Sequence, residues 1–250
     1  MLNWFFIVNF ATYLECMSRT VSIVSNQDAV GKSTTAWYLA CNLATIAGRT
    51  LLVDCDPLSG LAKRLPGQLR ADGSLNLCGD AIGMIQTVTA VSERMHVLAG
   101  NADLVTFELK AAQMPEREQR LKSLLGSRAE EYDYIVIDTP SSLGLLTLNA
   151  LVASDSVIVP LCCDYFGMDG VAEVMRTIKT VSSEWNDRLR LEGLLLTRYD
   201  DSLRSTERNV KEYCWLFGDF MFDTVIRESN NPDSDYAELT RELLLRTSKN

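Results

Sequence analysis

Short runs of β-branched and aliphatic residues recur along the chain at strand length, with longer stretches between them whose apolar positions repeat at helical spacing. Val21–Val24, Leu51–Val53, His96–Leu98, Tyr134–Ile137, Val157–Val159, Leu191–Leu196 and Met221–Ile226 read as strands. Leu39, Leu43 and Ile46 share one face of a helix closed by Gly48, and 116–125, 145–152 and 171–181 carry the same periodicity. Apolar strands that do not alternate with polar residues are strands buried on both faces. Separated by helices, they predict an α/β fold with a mostly parallel β-sheet flanked by helices on both faces. Residues 58–89 show no regular pattern and receive no assignment. Without a Pro/Gly/Ser linker or an internal repeat, the pattern describes a single domain over 17–250.

Residues 1–16 stand apart. Leu2–Phe10 is largely apolar but far short of the ~20 residues a membrane span needs. It also lacks the basic start and small-residue cleavage site of a secretory signal. The simplest reading is an N-terminal extension outside a fold that begins at Met17, with a short membrane-touching anchor as the alternative.

Charge and composition narrow the chemistry. The 250 residues carry 24 Lys+Arg against 33 Asp+Glu, a formal charge of −9, so bulk electrostatics does not draw the chain to nucleic acid. With 47% hydrophobic residues, disordered and fibrous classes are excluded. Seven cysteines form no C-x-x-C pair, which suits free thiols in a reducing cytoplasm. His96 is the sole histidine, so histidine-rich zinc sites and Ser-His-Asp relays have nothing to draw on, and a structural role is expected for it.

Chemistry concentrates after the first strand. Ser25-Asn26-Gln27-Asp28-Ala29-Val30-Gly31-Lys32-Ser33-Thr34 runs directly into a helix. Strand, loop, Gly-Lys-Ser and helix is the layout of a phosphate-binding P-loop. Backbone N–H groups curl around phosphates, Lys32 neutralises their charge, and the Ser33 hydroxyl suits Mg²⁺. The strict G-x-x-x-x-G-K-[ST] pattern is broken because Asn26 stands five positions before Gly31. Tyr134–Asp138 is a buried strand ending in a carboxylate, the Walker B arrangement in which Asp138 holds Mg²⁺ directly or through water. Asp54 and Asp56 end a second strand, and strand-end carboxylates of a parallel sheet lie on the ligand side.

Tyr132-Asp-Tyr-Ile-Val-Ile-Asp-Thr-Pro-Ser-Ser-Leu-Gly through Val-Ile-Val-Pro160, Leu194-Leu-Leu-Thr-Arg-Tyr-Asp200, Phe222-Asp-Thr-Val-Ile226 and the closing Asp235-Tyr-Ala-Glu-Leu-Thr-Arg-Glu-Leu-Leu244 carry a further signal. Together with the loop, they closely resemble the ParA/Soj branch of the ParA/MinD partition ATPases, from Met17 to the end. The resemblance implies a P-loop NTPase fold that binds ATP and Mg²⁺ and forms an ATP-bound homodimer. It also implies non-specific DNA binding and a ParB-like or other adaptor that stimulates hydrolysis. Carried over by position, Ala29, Val30, Gly31, Lys32, Ser33 and Thr34 hold phosphates, Ser33 and Asp138 serve Mg²⁺, and Lys32 and Asp56 act in hydrolysis, Asp56 on the attacking water.

Three departures shape the expectation. The family's Lys-Gly-Gly-Val-Gly-Lys loop is here Gln27-Asp28-Ala29-Val30-Gly31-Lys32, and neither Gln27 nor, with the register shifted by one, Asp28 restores the signature lysine that reaches across the dimer. Slow hydrolysis follows, since trans-acting cations of that kind are worth roughly 10³–10⁵ in rate. Asp28 places negative charge in a phosphate loop, at about 4 kcal/mol for a pair ~4 Å apart at an effective dielectric near 20, so it must point outward or onto a cation. Only 227–235 separates Ile226 from Tyr236, a much shorter segment than the family uses to enclose the base and contact DNA.

The expected function is an ATP-driven dimerisation switch for plasmid or chromosome partition or cargo positioning, cytoplasmic, and nucleoid-associated if DNA binding is retained. A hydrolysis-deficient nucleotide-binding scaffold and an orphan ParA that positions a protein cargo stay open. The best cationic cluster, Arg188, Arg190, Arg198, Arg204, Arg208 and Lys211, is interleaved with acids, so weak DNA binding is expected. The closing helix has too few cations for stable membrane association.

Overall fold

The computed structural model describes residues 18–58, 61, 75–78, 88–126, 128–163, 168–200, 202–229 and 231–247. The extension 1–16 and most of the unassigned 58–89 region lie outside them. Eight strands form one sheet: β1 (Arg19–Ile23), β2 (Thr50–Asp54), β3 (Thr89–Ala90), β4 (Met95–Leu98), β5 (Tyr134–Asp138), β6 (Ser156–Cys162), β7 (Arg190–Tyr199) and β8 (Met221–Arg227). Their order is β3-β4-β2-β5-β1-β6-β7-β8, and every pair is parallel except β3 with β4. The helices are α1 (Lys32–Ile46), α2 (Asp103–Lys110), α3 (Arg120–Gly126), α4 (Leu145–Val152), α5 (Met168–Glu184), α6 (Arg204–Phe217) and α7 (Asp233–Thr247). The α/β P-loop NTPase architecture expected from the sequence is what the chain adopts.

Alternate residues of each central strand feed opposite cores. Val21, Ile23, Leu52, Val136, Ile158 and Leu195 pack under α1 and α7. Their neighbours Leu51, Val53, Ile135 and Ile137 pack under α2, α3 and α4, and Val157, Val159, Leu194 and Leu196 under α5 and α6. Burial on both faces removes the polar alternation, which is why these strands read as apolar runs. Edge strand β8 is protected by α7: the N–H groups of Asp223 and Thr224 donate to the Glu242 carboxylate, and that of Arg227 donates to Asp235. Side-chain acceptors along an edge block pairing with another chain.

Some expectations shift in detail. Ile46 is 53% exposed, so the buried face of α1 ends at Leu43 and Ala44. The helix read over 116–125 is a 3₁₀ turn at Arg117–Gln119 followed by α3, because Glu116 enters in the left-handed region at φ 50°. Helices α2 and α6 were not anticipated. His96 is structural, its Nδ1 2.8 Å from the Tyr132 hydroxyl, and the six described cysteines are free thiols.

Candidate functional site

In a parallel sheet the C-terminal strand ends meet on one edge, and β1, β2, β5 and β7 bring the chemistry-bearing residues there. The loop after β1 turns into α1 through Gly31, which sits at φ 84° with no atom within 4 Å of where a Cβ would be. No side chain caps α1 and no acidic residue stands in its first turn, so its leading N–H groups face an open, electropositive hollow. Ala29 also lies in the left-handed region, at φ 59°. A Cβ in that region costs about 1–2 kcal/mol, so Ala29→Gly is expected to raise the melting temperature by about 1–4 °C after the extra entropy of unfolded glycine is set against it. A scanning calorimetry trace showing a lower melting temperature would contradict the strain.

Lys32 is 8% exposed, and its Nζ donates to the Gln27 carbonyl at 2.7 Å and the Ser141 Oγ at 3.0 Å. The ammonium therefore folds back across its own loop, tying it to the segment after β5. Burial lowers its pKa, against the opposing pull of Asp138, Asp28 and Asp56. Asp28 is exposed and meets the condition under which the loop tolerates it.

Asp138 ends β5 in register with Asp54 at the end of β2. It is fully buried, and among the described residues neither carboxylate oxygen has a hydrogen-bond partner. Burial first, then the neighbouring Asp54, push its pKa up to about 8; the Ser33 hydroxyl and Lys32 act in the opposite sense without satisfying it. A buried carboxyl without partners is costly. A divalent cation reached directly or through water would remove that cost. Ser33 and Asp138 are hard oxygen donors of the kind Mg²⁺ takes alongside water and substrate phosphates. Among the described residues no three His, Cys, Asp or Glu side chains form a dedicated metal cage. The residues present fit the group.

Asp54 Oδ1 accepts from the Asp56 N–H at 3.0 Å, and Asp56 Oδ1 from the Leu58 N–H at 2.9 Å, so consecutive turns fix both carboxylates, Asp54 buried and Asp56 partly exposed. Gly100 is required beside them: a Cβ there would lie 2.6 Å from the Asp54 carbonyl oxygen and 2.8 Å from that of Asp56. On the other side, Thr197 Oγ1 donates to the Val30 carbonyl at 3.0 Å, pinning the loop to β7. Asn26 Nδ2 donates to Glu173 of α5 at 2.8 Å, and Gly170 leaves room for the side chains of Asn26 and Gln27. Gln27 therefore lies against α5 of its own chain.

Next to the loop opens a cleft of about 250 Å³, walled by Ala29, Gly31, Thr34, Thr197, Arg198, Tyr236 and, notably, Ile226–Ser229 and Pro232. The short connector between Ile226 and Tyr236 forms one wall of this cleft. Tyr236 stacks on Tyr38 with centroids 4.9 Å apart, and its hydroxyl is 3.1 Å from Thr35 Oγ1, so α7 closes the cleft against α1.

Asp56, Lys32, Ser33 and Asp138 thus meet around one loop, as the sequence suggested. Ser141, Gly100 and Thr197 escaped sequence reading, since each matters through a tertiary contact; Ser141, three residues beyond Asp138, was the most accessible of them. The cationic cluster is divided between β7, which carries Arg190 and Arg198, and α6, which carries Arg204, Arg208 and Lys211. Arg190 begins the ten-residue β7 and Arg198 lies near its end, about 26 Å away along the strand. Lys211 pairs with Glu207 at 2.6 Å, and Arg190 donates to the carbonyls of Asp187 and Leu189.

Residues 18–191 match a family described as an AAA domain. The chromosome partitioning protein ParA of Myxococcus xanthus is 36% identical over 218 residues, covering 84% of this chain and 75% of that protein. The sporulation initiation inhibitor protein Soj of Bacillus subtilis is likewise 36% identical over 218 residues, 84% of each chain. Among solved structures, cobyrinic acid a,c-diamide synthase from Mycobacterium smegmatis, with bound ADP and magnesium, has a TM-score of 0.82 at 29% identity, covering 93% of this chain and 96% of that one. A plasmid partition protein of Borrelia burgdorferi has a TM-score of 0.74 at 22% identity over 93% and 99%, a likeness of fold alone.

Proposed function

The chain belongs to the ParA/Soj family of partition ATPases, and we propose that it is itself an ATP-binding switch, dimerising with nucleotide and hydrolysing it slowly to position DNA or another large cargo. One observation carries this reading: the buried carboxylate of Asp138, partnerless among the described residues, beside Lys32 and the open Gly31 turn. Such a group is costly alone and is relieved by a Mg²⁺-bound polyphosphate.

In this reading the backbone of Ala29, Val30 and Gly31 and the first turn of α1 cradle the phosphates. Thr34 lines the adjoining cleft. Ser33 and Asp138 hold Mg²⁺, which when bound neutralises charge on the β- and γ-phosphates. Lys32 swings from Gln27 and Ser141 onto those phosphates, exchanging two neutral acceptors for charged ones. Asp56, its carboxylate fixed by its own turn, orients the attacking water. Phosphoryl transfer rests mainly on positioning and charge neutralisation, so these groups suffice for slow turnover.

Gln27 supplies no cation to a partner's phosphates, which supports slow hydrolysis and equally supports the second reading, a nucleotide-binding scaffold that does not turn over. We place residues 17–250 in one nucleotide-binding domain, working in the cytoplasm with a ParB-like or other adaptor. Cations interleaved with acids along 184–212 support only weak DNA binding, and among the described residues no helix is long and apolar enough to cross a membrane. The experiment that separates switch from scaffold compares ATP turnover by the parent chain and Asp56→Ala. We expect slow turnover in the parent, a loss of at least about tenfold in the variant and unchanged ATP affinity, since a water-orienting carboxylate acts in the transition state. Absence of turnover in a parent that binds ATP would favour the scaffold, and equal turnover in both would remove Asp56 from the site.

A further inference from the structure

We propose that the apolar stretch Leu2–Phe10 of the N-terminal extension packs onto the exposed patch of Trp215, Leu216 and Phe220 at the end of α6, on the edge of the sheet opposite the phosphate loop. The inference is independent of the nucleotide-site reading.

The patch lies at a junction of elements. Trp215 is 83% exposed, Phe220 55% and Leu216 40%. Trp215 and Leu216 belong to the last turn of α6, and Phe220 to the 3₁₀ turn Gly218–Phe220 that leads into β8. Large apolar side chains scattered singly over a surface need no explanation, whereas two aromatics and a leucine gathered at one helix end mark a surface that meets something. The inward face of α6 is already occupied by the buried Tyr213. Trp215, two positions on, projects away from that core.

The course of the chain identifies the occupant. Parallel strands all begin on one edge of the sheet, so Phe220, directly before β8, stands on the same edge as Ser18, directly before β1. The order β1-β6-β7-β8 puts three strand spacings between the two points, roughly 14 Å. The seven residues 11–17 join Phe10 to Ser18, and an extended segment of that length spans about 23 Å. The extension therefore meets the fold within reach of the patch. A tether this short holds it there at an effective concentration on the order of millimolar.

Composition fits the same occupant. Trp4, Phe5, Phe6, Ile7 and Val8 form an unbroken apolar run, with Phe10 two residues beyond. Residues 1–16 contain no Lys or Arg, and Glu15 is their one acid. A segment that lay on an anionic lipid surface would use cations for the headgroups. One that packs on protein needs only a matching apolar face, and aromatic side chains on both sides supply large contact areas with preferred ring geometries.

The test is hydroxyl-radical footprinting of the full chain, read by mass spectrometry as oxidation of Trp215 and Phe220. The parent is compared with a tail variant carrying Phe5→Ser and Phe6→Ser. We expect both patch residues to oxidise at least about fivefold more slowly in the parent, the protection given by a segment that is open about a fifth of the time. Leu58, 85% exposed, and Tyr236, 1% exposed, should react equally in both chains and so report an unchanged fold. The reciprocal variant, Trp215→Ser with Phe220→Ser, should speed oxidation of Trp4. Equal oxidation of Trp215 and Phe220 in parent and tail variant would overturn the proposal. So would protection that fades on dilution, which would assign the patch to a second copy of the chain, or protection that appears only when phosphatidylcholine vesicles are added, which would assign it to a bilayer.

Discussion

Lys32→Ala should abolish ATP binding. The ammonium is the cation of the loop, buried, facing three carboxylates in Asp138, Asp28 and Asp56, and poised over neutral acceptors it can leave. Without it, the phosphate loop would offer a polyphosphate no side-chain cation of its own, beside the carboxylates of Asp138, Asp28 and Asp56. Truncating one partner of a buried charged pair costs about 3–5 kcal/mol, so affinity should fall roughly 10²- to 10⁴-fold. The fold should survive, because removing a desolvated ammonium also removes its desolvation penalty. Titration with Mg²⁺-ATP and a melting curve without ligand check both halves. Equal affinity in variant and parent would mean that the loop does not hold phosphate.

Asp138→Asn should have opposite effects on stability and on magnesium. The carboxyl titrates near 8 in the folded chain because it is buried and Asp54 lies beside it, against an ordinary value near 3.8. The folded chain keeps a proton that the unfolded chain releases, so between about pH 4 and 8 the unfolded state binds fewer protons and stability falls as pH rises. The contribution is fully present below the unfolded pKa and is lost as pH passes through the folded one. Asparagine cannot ionise, so the variant should lose this slope. Near pH 8 without ligand it should melt several degrees above the parent. Mg²⁺ in turn must displace the proton, so Mg²⁺-ATP binding by the parent below pH 8 should release a proton, detectable as a dependence of binding heat on buffer ionisation enthalpy. Asp138→Asn should show neither the release nor a magnesium requirement. An unchanged pH–stability slope would mean that Asp138 is ionised in the folded chain and already satisfied.

Much of this site could be read before the structure, for reasons specific to its parts. Tyr134–Asp138 and Thr50–Asp54 announce themselves because a strand buried on both faces has no room for a carboxylate except at its end. Gly31-Lys32-Ser33 is legible because a turn, a cation and a hydroxyl are adjacent in sequence. The wall made by Ile226–Ser229 could not be read from connector length, because its position depends on Asp235 gripping Arg227 and on Tyr236 packing against Tyr38. Helix α6 hid because much of its sequence is charged, with Tyr213 its one described fully buried aromatic and Trp215 left 83% exposed.

The central claim is that nucleotide state controls assembly, and its most direct test is the molar mass of the full chain by light scattering, with Mg²⁺ and either ADP or a non-hydrolysable ATP analogue. The account predicts a monomer with ADP and a doubling of mass with the triphosphate analogue, abolished by Lys32→Ala. The same mass in both nucleotide states, with the analogue shown to be bound, would contradict it.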